Sequence, residues 1–310
     1  MKANLEVFSE TLQELASTDK HVLAVTSDSR GSGKLGPFGE KYPEQIVEVG
    51  IAEQNLVGVA AGLANMGKKT FAVSPACFLT ARSLEQIKND VAYSNNPVSL
   101  VGISAGVSYG ALGTTHHSLH DFAVLRAIHN LIIVAPADAF ETKHAVTAAA
   151  ALSSPVYLRF GKKPMPDLGQ EFSSDFSFGK ARVVKKGTHI ALIGSGETVW
   201  PCLQAADELA KNGIQAEVIS MHTIKPLDTD LLDRIVSEGK AIITVEEHSV
   251  HGGLGEAVGS YLMQQTARIP FKIMGFPDDY TVTGSQQEIF KHYGLSADGI
   301  ASAAQQLLQR

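Results

Sequence analysis

The chain has 310 residues, 44% of them hydrophobic and 19% charged, with a formal net charge of −6. That length exceeds one ordinary core and implies two domains of roughly 150 residues each. The acidic balance excludes the basic stripe of a nucleic-acid binder, no apolar run approaches the ~20 residues that span a bilayer, and the polar start MKANLEVFSETLQEL lacks the apolar core of a secretory signal. Cys77 and Cys202 stand far apart and outside any ligand spacing, so free thiols in a reducing cytoplasm are expected.

In chain order, short apolar runs at 21–27 and 45–49 read as strands, and the Ala- and Leu-rich stretch 52–66 reads as a helix. A strand is expected at 70–73. A helix over 78–93 follows, with Leu84, Ile87 and Val91 on one face. Further apolar strands fall at 98–103, 131–134 and 156–160. Residues 162–187 hold Lys162, Lys163, Pro164 and Pro166 and show no periodicity, the signature of an interdomain linker. Beyond it, strands at 189–193, 215–220 and 241–245 alternate with helices at 197–211, 253–265 and 297–308. Continuous apolar strands between helices predict an α/β protein of two consecutive domains, 1–161 and 188–310, each a mostly parallel sheet flanked by helices.

Several motifs invite a function that their context denies. Gly31, Gly33 and Gly36 satisfy G-x-G-x-x-G after a strand, but Pro37 and Gly39 interrupt the helix that a dinucleotide site needs. The nearby SGK is no phosphate-cradling loop, because Asp28 stands where its first glycine belongs and Leu35 where Ser or Thr would bind magnesium. His116, His117, His120 and Asp121 cluster within six residues, but Gly113-Thr114-Thr115 argues for a loop there and no third metal ligand is identifiable. Substrate contact or loop anchoring is the better expectation.

The run Val49-Gly50-Ile51-Ala52-Glu53-Gln54-Asn55, followed by a small-residue helix, a strand and Phe78-Leu79, resembles the pyrimidine-binding domain of the transketolase superfamily. Gly113-Thr114-Thr115-His116-His117 resembles that family's G-x-T-H-Q loop, and Ile133-Val134-Ala135-Pro136-Ala137-Asp138 its strand–Pro–Ala–Asp turn. The segments 219–228 and Val245-Glu246-Glu247-His248 resemble its C-terminal domain. The motifs occur in one order along nearly the whole chain.

This resemblance implies a thiamine-diphosphate enzyme in which Glu53 activates the cofactor's aminopyrimidine. Read alone, Glu53 is an acidic residue at a helix start, favoured there by the macrodipole. A carboxyl buried without a cation is held protonated and can hydrogen-bond a ring nitrogen of the cofactor. By the same resemblance Phe78 walls the pyrimidine, Asp28 lies near the cofactor and a subunit interface, His116 contacts a substrate oxygen, and Ser32 and Arg159 hold a sugar phosphate. A guanidinium suits phosphate because its planar fork matches two oxygens, although an arginine at a strand end equally forms an ion pair.

The family binds the diphosphate through magnesium with a Gly-Asp-Gly motif that does not occur in this sequence. The resemblance therefore implies a partner chain, an N-terminal transketolase subunit carrying the diphosphate-binding domain and most contacts to Mg2+ or Ca2+, in an α2β2 assembly with a cofactor shared between chains. It implies ketol transfer between sugars, the donor phosphorylated. The alternatives are the β subunit of a 2-oxo-acid dehydrogenase and half of a deoxyxylulose-phosphate-synthase-like enzyme. Met1, Ser104 and Leu112 stand where family transketolases carry arginine, histidine and aspartate. A sugar other than the usual pentose phosphates is expected.

Overall fold

The computed structural model describes residues 1–169, 175–266 and 268–309. The first domain contains strands β1 (Lys2–Ala3), β2 (Val22–Thr26), β3 (Ile46–Glu48), β4 (Lys69–Pro75), β5 (Val98–Ile103), β6 (Ile132–Val134), β7 (Val156–Arg159) and β8 (Pro164–Met165). The second contains β9 (Arg182–Lys185), β10 (Ile190–Gly194), β11 (Ala216–Ser220), β12 (Thr223–Lys225), β13 (Ala241–Ser249) and β14 (Phe271–Phe276). Both sheets are flanked by helices, as the alternation of the sequence predicts.

The larger sheet has seven strands in the order β12-β6-β7-β5-β4-β2-β3, and the smaller has five in the order β14-β13-β10-β11-β9. Pairing is parallel except at β12 with β6 and β9 with β11. Strand β2 (VLAVT) is buried at every position, which fits a strand with helices on both faces. The helix Glu53–Asn65 packs its Ala60, Ala61 and Ala64 inward, and these small side chains bring its backbone close to the sheet.

Two expectations need revision. The helix expected over 78–93 is broken into Ala76–Arg82, the turn Leu84–Gln86 and a π-helical segment Ile87–Tyr93. Ser83 forms the break; its hydroxyl donates to the Leu79 carbonyl at 2.5 Å and competes with the backbone ladder. The expected linker 162–187 is also shorter. β8 pairs with β1, and β9 is an edge strand of the second sheet; residues 170–174 of that stretch lie outside the described residues.

The two domains do not merely adjoin. β12 belongs to the second half of the sequence and extends the first sheet. One apolar cluster unites Leu125 and Ile133 with Ile193, Ile219, Leu232 and Leu254. Arg182, buried on β9, donates to Asp138 at 2.8 Å and Glu141 at 2.9 Å, and Asp138 also caps the helix Ala139–Ala149 by accepting from the Glu141 N–H. The Pro–Ala–Asp turn thus serves as an interdomain clasp.

Candidate active site

In the larger sheet β3 lies on one side of β2 and β4 on the other, so the chain reverses direction across β2. Open α/β sheets hold ligands at such a switch, beyond the carboxyl ends of the strands. Asp28 follows β2, Glu53 follows β3, Phe78 follows β4, and the loop carrying Ser104, Leu112 and His116 follows β5.

Glu48, the last residue of β3, organises this edge. Its carboxylate accepts from the Asp28 N–H at 2.7 Å, the Thr26 hydroxyl at 2.7 Å and the Gly50 N–H at 3.0 Å. Burial works to raise its pKa, but these hydrogen bonds and Arg30 outweigh it and hold the group below the usual range. Asp28 adopts φ +53° and is exposed. Ser32 lies in the next turn, donating to the Ser29 carbonyl at 3.2 Å. Gly33 packs that turn against Val73 and Ile103.

Glu53 opens its helix and is only 5% exposed. It is not unaccompanied, however, as the residue pattern alone would suggest. Arg82 Nη1 lies 3.0 Å and 3.1 Å from its two oxygens, so the premise of a buried carboxyl without a cation does not hold. The Arg82 guanidinium also sits 4.2 Å above the Phe78 ring. Phe78 meets His116 edge-on at 5.3 Å, and His116 meets Tyr109 at 5.5 Å. The fold therefore unites Glu53, Phe78 and His116 through Arg82 in one continuous row. Neither Arg82 nor Glu48 stands out from the sequence as a site residue. The i,i+4 spacing of Phe78 and Arg82 on one helix face was the available signal.

Two open clefts meet at Arg82. One, of about 650 Å³, is lined by residues 51–55 and Arg82. The other, of about 360 Å³, is lined by Phe78, Thr114, Thr115 and His117 among others. The buried acid thus lines the first cleft and the aromatic wall the second, with Arg82 shared between them. Ile51, 75% exposed, and Leu112, 55% exposed, present bare apolar surface beside the clefts. Burial pushes the Cys77 thiol up to about 11, which removes it as a nucleophile.

The histidines of the loop have separate duties. His117 is buried and pairs with the Gly110 carbonyl, while His120 meets the Thr80 hydroxyl at 3.3 Å. Among the described residues no group of three His, Cys, Asp or Glu could hold a metal.

Arg159 requires a correction. It is 6% exposed, and its Nε donates to Asp121 at 2.7 Å while Nη2 donates to the carbonyls of Ser118 and Glu247. Its guanidinium lies 4.5 Å over Phe122. Burial would raise the Asp121 pKa, but Arg159 and His248 outweigh it and hold the group below its ordinary range. The ion-pair reading prevails over the phosphate reading, because the fork is committed to protein partners.

Residues 1–166 match the family described as transketolase, pyrimidine binding domain, and residues 179–300 match transketolase, C-terminal domain. A subunit of the apulose-4-phosphate transketolase of Phocaeicola vulgatus is 48% identical over 303 residues, covering 98% of this chain and 96% of that protein. A 1-deoxy-D-xylulose-5-phosphate synthase of Desulfotalea psychrophila is 36% identical over 98% of this chain, which spans only 48% of that protein. A solved split gene transketolase, an inactive beta4 tetramer, superposes with a TM-score of 0.88 at 33% identity, covering 99% of this chain and 98% of that one. The chain belongs to the thiamine-diphosphate-dependent transketolase family.

Proposed function

We propose that this chain is the subunit of a split transketolase that supplies Glu53 to thiamine diphosphate, and that its donor is a ketose phosphate of the apulose 4-phosphate type. In the overall reaction the donor's C2–C3 bond breaks, and the two-carbon ketol unit forms a new bond to the carbonyl carbon of an aldose, with no net redox change. When bound, thiamine diphosphate supplies the electron sink that this transfer needs. The buried Glu53 carboxyl, which borders an open cleft and is joined to Phe78 through Arg82, is the observation that carries the reading.

Each side chain has a defined task. Glu53 hydrogen-bonds the aminopyrimidine's ring nitrogen, in place of its present partner Arg82. Phe78 offers its face to the ring, which requires Arg82 to leave the space it now fills above Phe78. His116 donates to the substrate oxygen on which negative charge develops. Asp28 faces the cofactor and the partner, and Ser32 remains the candidate for the sugar phosphate.

The diphosphate and its magnesium or calcium ion belong to an N-terminal subunit in an α2β2 assembly. The Phocaeicola relative is itself named as one subunit of its enzyme, and the beta4 tetramer is inactive; both support a need for this partner. The apolar surface at Ile51 and Leu112 suits such a contact, and the free thiols Cys77 and Cys202, both buried, suit a cytoplasmic setting.

The deciding experiment co-expresses the chain with its partner and assays ketol transfer with thiamine diphosphate and magnesium. Apulose 4-phosphate is expected to outperform xylulose 5-phosphate, and the chain alone is expected to be inactive. Efficient turnover of xylulose 5-phosphate would overturn the substrate assignment. Formation of 1-deoxy-D-xylulose 5-phosphate would favour the synthase-like half enzyme, a reading to which the Desulfotalea match lends weight.

A further inference from the structure

The loop that presents His116 is shaped largely by the C-terminal domain. Its base closes where the Ser118 N–H donates to the Gly106 carbonyl at 2.8 Å. The Val107 N–H donates to Oε1 of Glu247 on β13 at 2.9 Å, away from water. Gly106 has φ +62°, and a Cβ there would collide with the Glu247 carboxyl. Gln286 then donates through its Nε2 to Glu247 Oε1 and Glu197 Oε2, each at 2.7 Å. Two carboxyls thus share one amide, and one of them holds the loop.

We propose that Glu247 is a positioning residue for ketol transfer, fixing the His116 loop through the Val107 N–H while Gln286 holds its carboxyl in place. The inference rests on the transketolase reading of the cleft.

The charged groups around the bridge leave its two carboxyls to the amide and to each other. Arg159 reaches only the Glu247 backbone carbonyl and spends its Nε on Asp121. Lys163 meets Glu197 through its backbone N–H, and the Lys162 ammonium lies over Tyr109. Glu246 turns away, accepting from the N–H groups of Leu254 and Gly255. Among the described residues no cation bonds the bridging oxygens. Two ionised carboxylates around one neutral amide, both buried, repel each other. Burial, with Glu197 adding to it, pushes Glu247 up to about 8, and burial raises Glu197 as well. The hydrogen bonds from Gln286 and Val107 work in the opposite direction, because an ionised carboxyl accepts from an N–H more strongly.

The test uses the full complex with thiamine diphosphate and magnesium, measuring kcat and KM at neutral pH. E247A should lower kcat at neutral pH about 10²-fold, the cost of a misplaced catalytic group, with cofactor affinity changed less than about twofold. E247Q keeps a carbonyl acceptor for Val107, so it should restore turnover to within about threefold of wild type. Q286L, which deletes the bridging donor, should behave like E247A.

Hydrogen exchange on the full chain gives a readout independent of turnover. Amides 104–118 should exchange at least about tenfold faster in E247A but not in E247Q, with β2 and β10 unchanged. Turnover of E247A within about twofold of wild type, turnover of E247Q as low as that of E247A, or faster exchange throughout E247A would each overturn the proposal. Should the wild-type complex transfer no ketol unit from any sugar, the functional reading fails, while the exchange comparison still decides the link from Glu247 to the loop.

Discussion

Glu53 and Arg159 show how far residue identity can be read without coordinates. Glu53 belongs at the start of a helix on local grounds, and its motif points to the cofactor. Its neighbour Arg82 comes from a different element, 29 residues later, and no local pattern pairs the two. E53Q in the reconstituted complex is expected to lower kcat by at least ~10²-fold, the usual worth of a positioned proton donor; steady-state rates near wild type would remove Glu53 from the chemistry. Arg159 yields a sharper contrast. R159M leaves Asp121 buried without its cation, so thermal or urea unfolding should show a loss of about 3–5 kcal/mol. A phosphate-binding arginine would instead raise KM for the sugar phosphate and leave the melting temperature unchanged.

Among the elements, the strands of the first domain were largely legible, because buried parallel strands are short apolar runs between polar boundaries. The helix beyond β4 was not. Leu84, Ile87 and Val91 keep one periodicity across a break that a single serine creates. The loops at the sheet's edge depend on Glu48, whose carboxylate joins the turn after β2 to the turn before Glu53. E48A deprives two backbone N–H groups of their acceptor. It is expected to raise the apparent KM for thiamine diphosphate about tenfold with little change in global stability, as misplacement without unfolding predicts. Cofactor titration followed by near-ultraviolet circular dichroism would measure it, and an unchanged midpoint would deny Glu48 this role.

For the whole molecule, the domains share a core cluster and the Arg182 clasp, so they should unfold together. R182M strands Asp138 and Glu141 without their cation and should cost about 3–5 kcal/mol; calorimetry should still show one transition, and two would contradict the shared core. Stability should also depend on pH in a defined direction. Burial pushes Glu246 up to about 7 and Glu247 up to about 8 in the folded chain. The folded state therefore binds more protons than the unfolded one, and their stabilisation is lost as pH rises through those values. Burial pushes His222 and His248 down to about 3 and about 4, so they oppose this trend only at acidic pH, below the ordinary histidine range. Above about pH 7.5, where both histidines are largely neutral folded or unfolded, the melting temperature should fall, and less so in E247Q. A melting temperature that rises over that range would refute the assignment.

The sequence by itself determined the α/β class, the succession of two domains and the family motifs they carry. Those features follow from local apolar periodicity and from motifs whose spacing lies within one strand–loop–helix unit. Only the tertiary structure decided which charges meet. Arg82 with Glu53, Arg159 with Asp121, Arg182 with Asp138, and Glu247 with the His116 loop join residues 29 to 140 positions apart. Such pairs are chosen by burial, because a charge withdrawn from water must find a partner wherever the fold supplies one.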